Sequence, residues 1–366
     1  MQKFDVAAYI WPAYTGDEPR TRLFWEEGIG EWQTVKNQKR KSCGYLWDRK
    51  PIWGYCNEAD PYVMSMQIDA AADHGVNVFI YDWYWYDNRP FLENCLNDGF
   101  LKAHNNNRMK FYIMWANHDA NYTWDIRNSD KYDTTIWSGM VTREQFEVIG
   151  KRWIEQYFTK ENYYKIDNKP VVSIYDIKNF VVGLGGLDEA KDAIDWLNEE
   201  AKKYGLDGVH FQLVSWGKDT QNLSGVDGGA MSTDKELTKK LGFASLTHYQ
   251  YVHFAKIDRD YSEIMPDVKM EWEGICEEYD IPYFPHVSIG WDNNPRFKEF
   301  RPGIITNNPP SEFEKALLDA KAFAEKTNVN MITINSWNEW TESSYLEPDN
   351  VYGYGYLEAV KKVFKD

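Results

Sequence analysis

Eight short runs of apolar, β-branched and aromatic residues recur along the chain, at 6–10, 76–83, 109–116, 170–175, 209–215, 243–249, 283–289 and 331–336. Stretches with helical periodicity separate them, and that alternation is the signature of parallel α/β units. Eight such units fit a closed (β/α)8 TIM barrel, an α/β fold with long βα loops, and predict one catalytic domain over residues 1–366. Several helix ends are legible. Asp60 and Pro61 read as N-cap and first-turn proline of a helix that His74 and Gly75 close. Thr142 with Gln145 resembles a capping box ahead of a helix to about 158, and Ser311 with Glu314 another ahead of a helix to about 327. An amphipathic stretch over 187–204 stops at Gly205. No repeat, low-complexity tract or interdomain linker interrupts the pattern. The irregular stretch 11–57 follows the first strand, and loops of that length inside compact domains usually serve a site.

Composition narrows the function. The chain has 366 residues, a length an α/β barrel uses as one domain. Its 41 Lys and Arg against 57 Asp and Glu give a net charge of -16, which argues against a nucleic-acid backbone or an anionic membrane and favours a neutral partner. Aromatics reach 16%, with 17 Trp and 25 Tyr. Many of these fill a core, but flat rings with a polar edge also suit the mixed faces of pyranose sugars. Cys43, Cys56, Cys95 and Cys276 are scattered without a C-x-x-C pair, so free thiols are expected, with Cys43 and Cys56 the only nearby pair. The first strand begins almost at Met1 and no run reaches transmembrane length. The expectation is a cytoplasmic chain without membrane insertion, or a periplasmic or surface-exposed one if a leader has been removed.

The run at 331–336 leads into Trp337, Asn338, Glu339, Trp340, Thr341 and Glu342, placing two carboxylates three residues apart among tryptophans. Three-residue spacing brings both to one side of a helical turn, with Cβ atoms ~5–6 Å apart. A retaining glycosidase needs carboxyl groups ~5–5.5 Å apart. Taken alone, such a pair is more often a solvated loop after a core strand. Its context is the other strand ends, where an α/β barrel gathers its catalytic groups. These carry Tyr9, Trp11 and Tyr14; Asp82 and Trp83; Trp115, Asn117 and His118; Tyr175; Trp216; His248 and Tyr251; Trp291 and Asp292; and finally Asn338 and Trp340 beside the two glutamates. Singly, each has a plain structural reading as helix cap, loop packing or hydrogen-bonded core residue. Together they predict a ring-lined groove with Asp and Asn side chains placed for sugar hydroxyls.

Other chemistries find less support. A metal-dependent barrel would want His-x-His at the first strand end, where this chain has Tyr9, Ile10 and Trp11. Asp258-Arg259-Asp260 matches the metal-binding Asp-x-Asp of some nucleotide-sugar transferases, but the triplet is short and common. No Walker-type, G-x-G-x-x-G or G-x-S-x-G run occurs. Neither a metal nor an organic cofactor is expected. Glycan-acceptor patterns at Asn121 and Asn222 mean little without a secretory route.

The segment Asn335-Ser-Trp-Asn-Glu339-Trp-Thr-Glu342, followed by Tyr345-Leu-Glu-Pro-Asp349 and Tyr352-Gly-Tyr-Gly-Tyr356, resembles the WbsX-like proteins grouped with glycoside hydrolase family 99. Gly28-Ile-Gly-Glu31-Trp32 in the first loop, Trp115-Ala-Asn117 with Trp124-Asp125, and Asn168-Lys-Pro170 are similar to further segments of that family in the same order. The resemblance implies a (β/α)8 barrel acting on α-linked, mannose-like glycans with retention, as an endo-α-mannosidase does. By motif, Glu339 takes the role of base on the sugar 2-hydroxyl and Glu342 that of general acid and then base on the glycosidic oxygen. Thr341 and Ser343 depart from the His and Gly that hydrolytic members carry around the second Glu. The alternatives are a WbsX-type glycosyltransferase of polysaccharide synthesis and a carbohydrate-binding barrel without turnover.

Overall fold

In the computed structural model, which describes residues 4–216 and 235–365, eight parallel strands surround a common axis. They are β1 (Asp5–Ile10), β2 (Val78–Tyr86), β3 (Lys110–Trp115), β4 (Lys169–Ile174), β5 (His210–Ser215), β6 (Ser245–His248), β7 (His286–Ser288) and β8 (Met331–Asn335). Each of the eight predicted runs overlaps one of them. Neighbours follow chain order from β1 to β6, and β8 returns to pair with β1 through Asp5 and Met331. The ring closes between β6 and β7 through a single bridge: Phe284 N donates to Leu246 O at 2.8 Å and Leu246 N to Pro282 O at 2.9 Å. The α/β barrel is therefore the observed fold.

Nine α-helices are present among the described residues: α1 (Trp32–Lys36), α2 (Pro61–Asp73), α3 (Arg143–Trp153), α4 (Ile177–Leu184), α5 (Leu187–Lys202), α6 (Lys235–Leu241), α7 (Tyr261–Glu278), α8 (Pro310–Thr327) and α9 (Gly355–Phe364). Asp60 caps α2 by accepting from Tyr62 N at 2.8 Å, and Thr142 with Gln145 forms the expected reciprocal box on α3. The box expected from Ser311 does not form. Pro310 takes the first helical position, where its fixed φ is already helical and its missing N–H costs nothing, so Ser311 falls inside the first turn. All four cysteines are free. No helix among the described residues is long and apolar enough to cross a membrane. Asn222 lies outside the described residues.

The barrel interior is unusually polar below the site, and its polar groups are paired, as burial requires. Gln212 accepts from Tyr112 Oη at 3.1 Å and also takes a bond from Ser173. Thr333 joins Thr247 at 2.8 Å and His286 at 2.9 Å. These cross-barrel bonds set strands that carry the site in fixed register above them.

Candidate active site

Beyond β8 the chain doubles back: Asn338 and Glu339 pair antiparallel with Tyr345 and Ser344, and Trp340–Glu342 forms one 3₁₀ turn between them. That turn brings Glu339 and Glu342 to the same cavity. Asn338 fastens the hairpin to the end of β1, accepting from Trp11 N at 2.8 Å and donating to Trp11 O at 2.9 Å. Trp340 stacks on Tyr345 at 3.9 Å and gives its indole N–H to Glu347.

Both glutamates grip one cation. Arg296, on a short turn after β7, donates Nη1 to Glu342 at 2.6 Å and Nη2 to Glu339 at 3.3 Å. Its remaining face meets Glu31 of the first loop, Nε to Oε1 at 2.8 Å and Nη2 to Oε2 at 3.2 Å. Glu31 in turn accepts from Trp11 Nε1 at 2.5 Å. Asp82, from β2, joins from the opposite side: Tyr249 Oη donates to Asp82 Oδ2 at 2.9 Å and lies 3.3 Å from Glu339 Oε1. Asp82 Oδ1 and Glu342 Oε2 are buried without a hydrogen-bond partner. All these groups are buried; even Glu342 is only 8% exposed.

Asp82, Glu339 and Glu342, buried together with one guanidinium that also serves Glu31, cannot all be ionised cheaply at low dielectric. Burial holds the Glu339 carboxyl well above the usual range, the Glu342 charge adds to this, and Arg296 offsets part of it. Burial raises Glu342 as well, with Arg296 pulling it back. Asp82 is pushed well above its usual range by burial, against the Tyr249 bond. Arg296 shows the counterpart: burial lowers it, but Glu31, Glu339 and Glu342 together hold it firmly charged. Burial and mutual repulsion thus favour proton binding by Asp82, Glu339 and Glu342.

The cavity they share has a volume of about 580 Å³ and is walled by Trp11, Tyr84, Trp124, Tyr175, Trp216 and Tyr249, with Asp119, Asp176 and Lys178 toward its far side. His118 lies in the same wall, its pKa lowered by burial, so it stands as a neutral imidazole.

Of the expected groove residues, Trp11, Asp82, His118, Tyr175, Trp216, Glu339 and Glu342 are brought together on this cavity. The others sit elsewhere. Trp83 and Trp115 point outward: Trp83 donates to Glu93 at 2.8 Å, and Trp115 packs on Phe146, Trp153 and Phe180. His248 also faces the helices, bonding Tyr283 Oη at 2.7 Å, and Tyr251 packs against Tyr261 and Phe254. The three strand residues Trp83, Trp115 and His248 share one reason, whereas Tyr251 sits in a 3₁₀ turn past the strand. Strand residues alternate sides, so where Asp82 and Tyr84 face inward, Trp83 faces outward. Asn117 ties β3 to the end of β4, exchanging bonds with the Asp176 backbone at 2.7 and 2.8 Å. Tyr9 lies below the cavity, its hydroxyl on His248 O at 3.1 Å, and Tyr14 packs on Trp32. Trp291 and Asp292 lie behind Glu342, whose carbonyl accepts from Asp292 N at 2.8 Å, while the Asp292 carboxylate accepts from Tyr45 at 2.5 Å. Asn338 and Trp340 brace the hairpin rather than line the cavity. Asp258 and Asp260 are on the surface, where Asp260 accepts from Thr306 and Asn307.

Arg296 and Tyr249 escape sequence reasoning. Arg296 lies in an irregular loop with no local signature, whereas Tyr249 is one residue past His248, and strand alternation was the available signal. Glu31 belongs to a recognisable segment of the first loop, but only the fold reveals its partner.

The chain matches the glycosyltransferase WbsX family over residues 6–360. The protein WxcX of Xanthomonas campestris pv. campestris, in strains ATCC 33913 and B100, is 23% identical over 355 residues, which is 94% of this chain and 47% of that protein. The chain thus spans about half the length of these curated relatives. Among solved structures, a GH99 endo-α-mannosidase from Bacteroides thetaiotaomicron superposes with a TM-score of 0.61 at 12% identity, covering 99% of this chain and 97% of that one. A glycoside hydrolase-like protein gives 0.60 at 15% identity, covering 100% and 95%. At these identities the superpositions establish a shared barrel fold. The family match over almost the whole chain establishes the lineage: this protein belongs to the WbsX family.

Proposed function

We propose that the chain hydrolyses α-linked, mannose-like glycans with retention of configuration, Glu339 acting as base on the sugar 2-hydroxyl and Glu342 as general acid and then base. The observation carrying this reading is the pair of buried carboxyls held by one guanidinium in a ring-walled cavity at the C-terminal ends of the strands. Two hydrogen bonds to one planar group keep the carboxyls close, as a retaining pair requires. Aromatic walls suit the apolar faces of sugar rings, and the orphan Oδ1 of Asp82 is an acceptor for a hydroxyl donor. In the empty cavity Arg296 favours charge on Glu342, so the acid role requires a proton to pass to Glu342 as Glu339 engages the 2-hydroxyl. Such exchange is natural for coupled carboxyls whose titrations belong to the pair.

The family's name favours a transferase as second reading. Against a nucleoside-diphosphate donor stands the cavity's charge: Asp82, Asp119, Asp176, Glu339 and Glu342 face two cations, Lys178 and the already committed Arg296. Turnover of aryl α-mannosides separates the readings. Glu342→Gln should collapse hydrolysis of substrates with poor leaving groups while sparing those with very good ones; equal loss on both counts against the acid role. A 2-deoxy substrate cleaved at a normal rate removes the proposed role of Glu339. Thermal shift by nucleotide sugars, with none by mannose oligosaccharides, turns the assignment to transferase.

A further inference from the structure

A second buried carboxyl pair stands behind the hairpin. Glu58, at the end of the first loop, and Glu347, just past the hairpin, are 0% and 3% exposed, and no cation pairs with either among the described residues. Their carboxyls converge on one donor. One amide nitrogen, Gln67 Nε2 on α2, donates to Glu58 Oε1 at 3.1 Å and to Glu347 Oε1 at 2.7 Å. The outer oxygens reach the hairpin on either side of Glu339: Asn338 Nδ2 donates to Glu58 Oε2 at 2.9 Å, and Trp340 Nε1 to Glu347 Oε2 at 2.6 Å. Trp337 Nε1 donates to Gln67 Oε1 at 3.1 Å, closing the network. The other titratable groups facing the pair are Cys95, Cys56, Tyr81 and Tyr14, all neutral acids that supply no positive charge.

Two adjacent carboxylates without a cation repel strongly when both are ionised in such a site, and a hydrogen bond from a carboxyl to a carboxylate relieves that repulsion. We infer that Glu58 and Glu347 share a single proton and act as positioning residues, holding Asn338 and Trp340 so that Glu339 keeps its place between them. This rests on the reading of Glu339 as a reacting group. Loss of the shared proton sets two charges against each other and loosens both anchors. Burial raises both groups, Glu58 to about 7, so the loosening belongs to the alkaline side.

Three measurements on the full chain test it. Infrared spectra of protein carrying ¹³C-labelled glutamate should show a protonated carboxyl at pH 7 that Glu58→Gln removes; a band unchanged by that substitution, or none, overturns the proposal. Glu347→Gln keeps an acceptor for Trp340 and supplies its own N–H, so it should keep kcat within about threefold, whereas Glu347→Ala should lower it about 10²-fold with KM little changed. Equal loss in both variants, with melting curves showing both folded, refutes positioning. The alkaline limb of kcat should fall as two ionisations in the parent and as one in Glu58→Gln. If no glycan is turned over at all, the hydrolase reading fails, while the infrared band still decides the shared proton.

Discussion

Replacing Arg296 by methionine removes the only guanidinium that, among the described residues, contacts Glu31, Glu339 and Glu342, while keeping much of its bulk. Breaking a buried ion pair by deleting one partner costs about 3–5 kcal/mol, because charge is left without compensation. The contacts at 2.6 and 2.8 Å to Glu342 and Glu31 place Arg296 fully in that class, and the 3.3 Å contact to Glu339 adds a weaker one. Carboxyls relieve the strain by taking up protons, and one proton changes stability by about 1.4 kcal/mol per pH unit. Glu339 and Glu342 already sit above their ordinary range through burial, so their contribution is complete at acid pH and lost as pH rises. The variant steepens that loss. Denaturant unfolding should therefore show about 3–5 kcal/mol lost at pH 8, shrinking to about 1 kcal/mol at pH 5.5 if one extra proton is bound across that interval. Arg296→Lys keeps the charge but not the fork, and should show a smaller deficit with little pH dependence. An Arg296→Met deficit equal at both pH values would mean that Arg296 acts through packing, and the electrostatic account would be wrong.

The unsubstituted protein should be most stable in mildly acidic buffer: Glu18 and Glu58 are raised by burial to about 7, so their stabilisation is complete below about 4.5 and lost as pH climbs through 7, which melting from pH 4.5 to 8.5 checks. Tyr249→Phe strips the donor shared by Asp82 and Glu339; the cost should be about 1–3 kcal/mol, with any hydrolytic activity shifted to a different pH optimum, and an unchanged pH profile would exclude Tyr249 from the proton network. Thr142→Ala removes a complete capping box and should cost about 1 kcal/mol without affecting ligand binding, measured by urea unfolding and calorimetry.

The barrel was legible because its strands are short apolar runs spaced by helical periodicity, and each of the eight predicted runs overlaps an observed strand. The carboxylate pair was legible because both members lie three residues apart at one strand end. What escaped was side and partnership. Trp83, Trp115 and His248 occupy strand ends yet face the helices, since a strand presents alternate residues to opposite sides and an uncertainty of one position exchanges them. Asn338 and Trp340 flank Glu339 in sequence but brace the hairpin from behind, a role set by Trp11 and Glu347, which lie far apart in the chain. Arg296 reaches the glutamates from an irregular loop, and no periodicity marks it.

The arrangement also says why the acid in this cavity belongs to a cluster rather than to one residue. Glu31, Glu339 and Glu342 contact one permanent cation and Asp82 joins Glu339 through Tyr249, so at low dielectric proton binding belongs to Asp82, Glu339 and Glu342 together. Arg296 biases the empty site toward charge on Glu342, because its contact there is the shorter one. Under the proposed mechanism, a hydroxyl bound against Glu339 draws a base rather than an acid, and that favours moving the proton to Glu342. Substrate binding and acid readiness are then one event. The same logic makes the surroundings of Glu342 matter: Ser343 Oγ accepts from Trp47 Nε1 at 2.7 Å and lies 3.3 Å from Asp292 O, so the departure at this position anchors the turn to the first loop. Thr341 Oγ1, one residue before Glu342, is buried without a partner, at a position where the sequence departs from the motif it resembles. A neutral hydroxyl adds no positive charge at that point, so burial, with Glu31 adding to it, raises the pKa of Glu342 and Arg296 is the group that pulls it back toward the carboxylate.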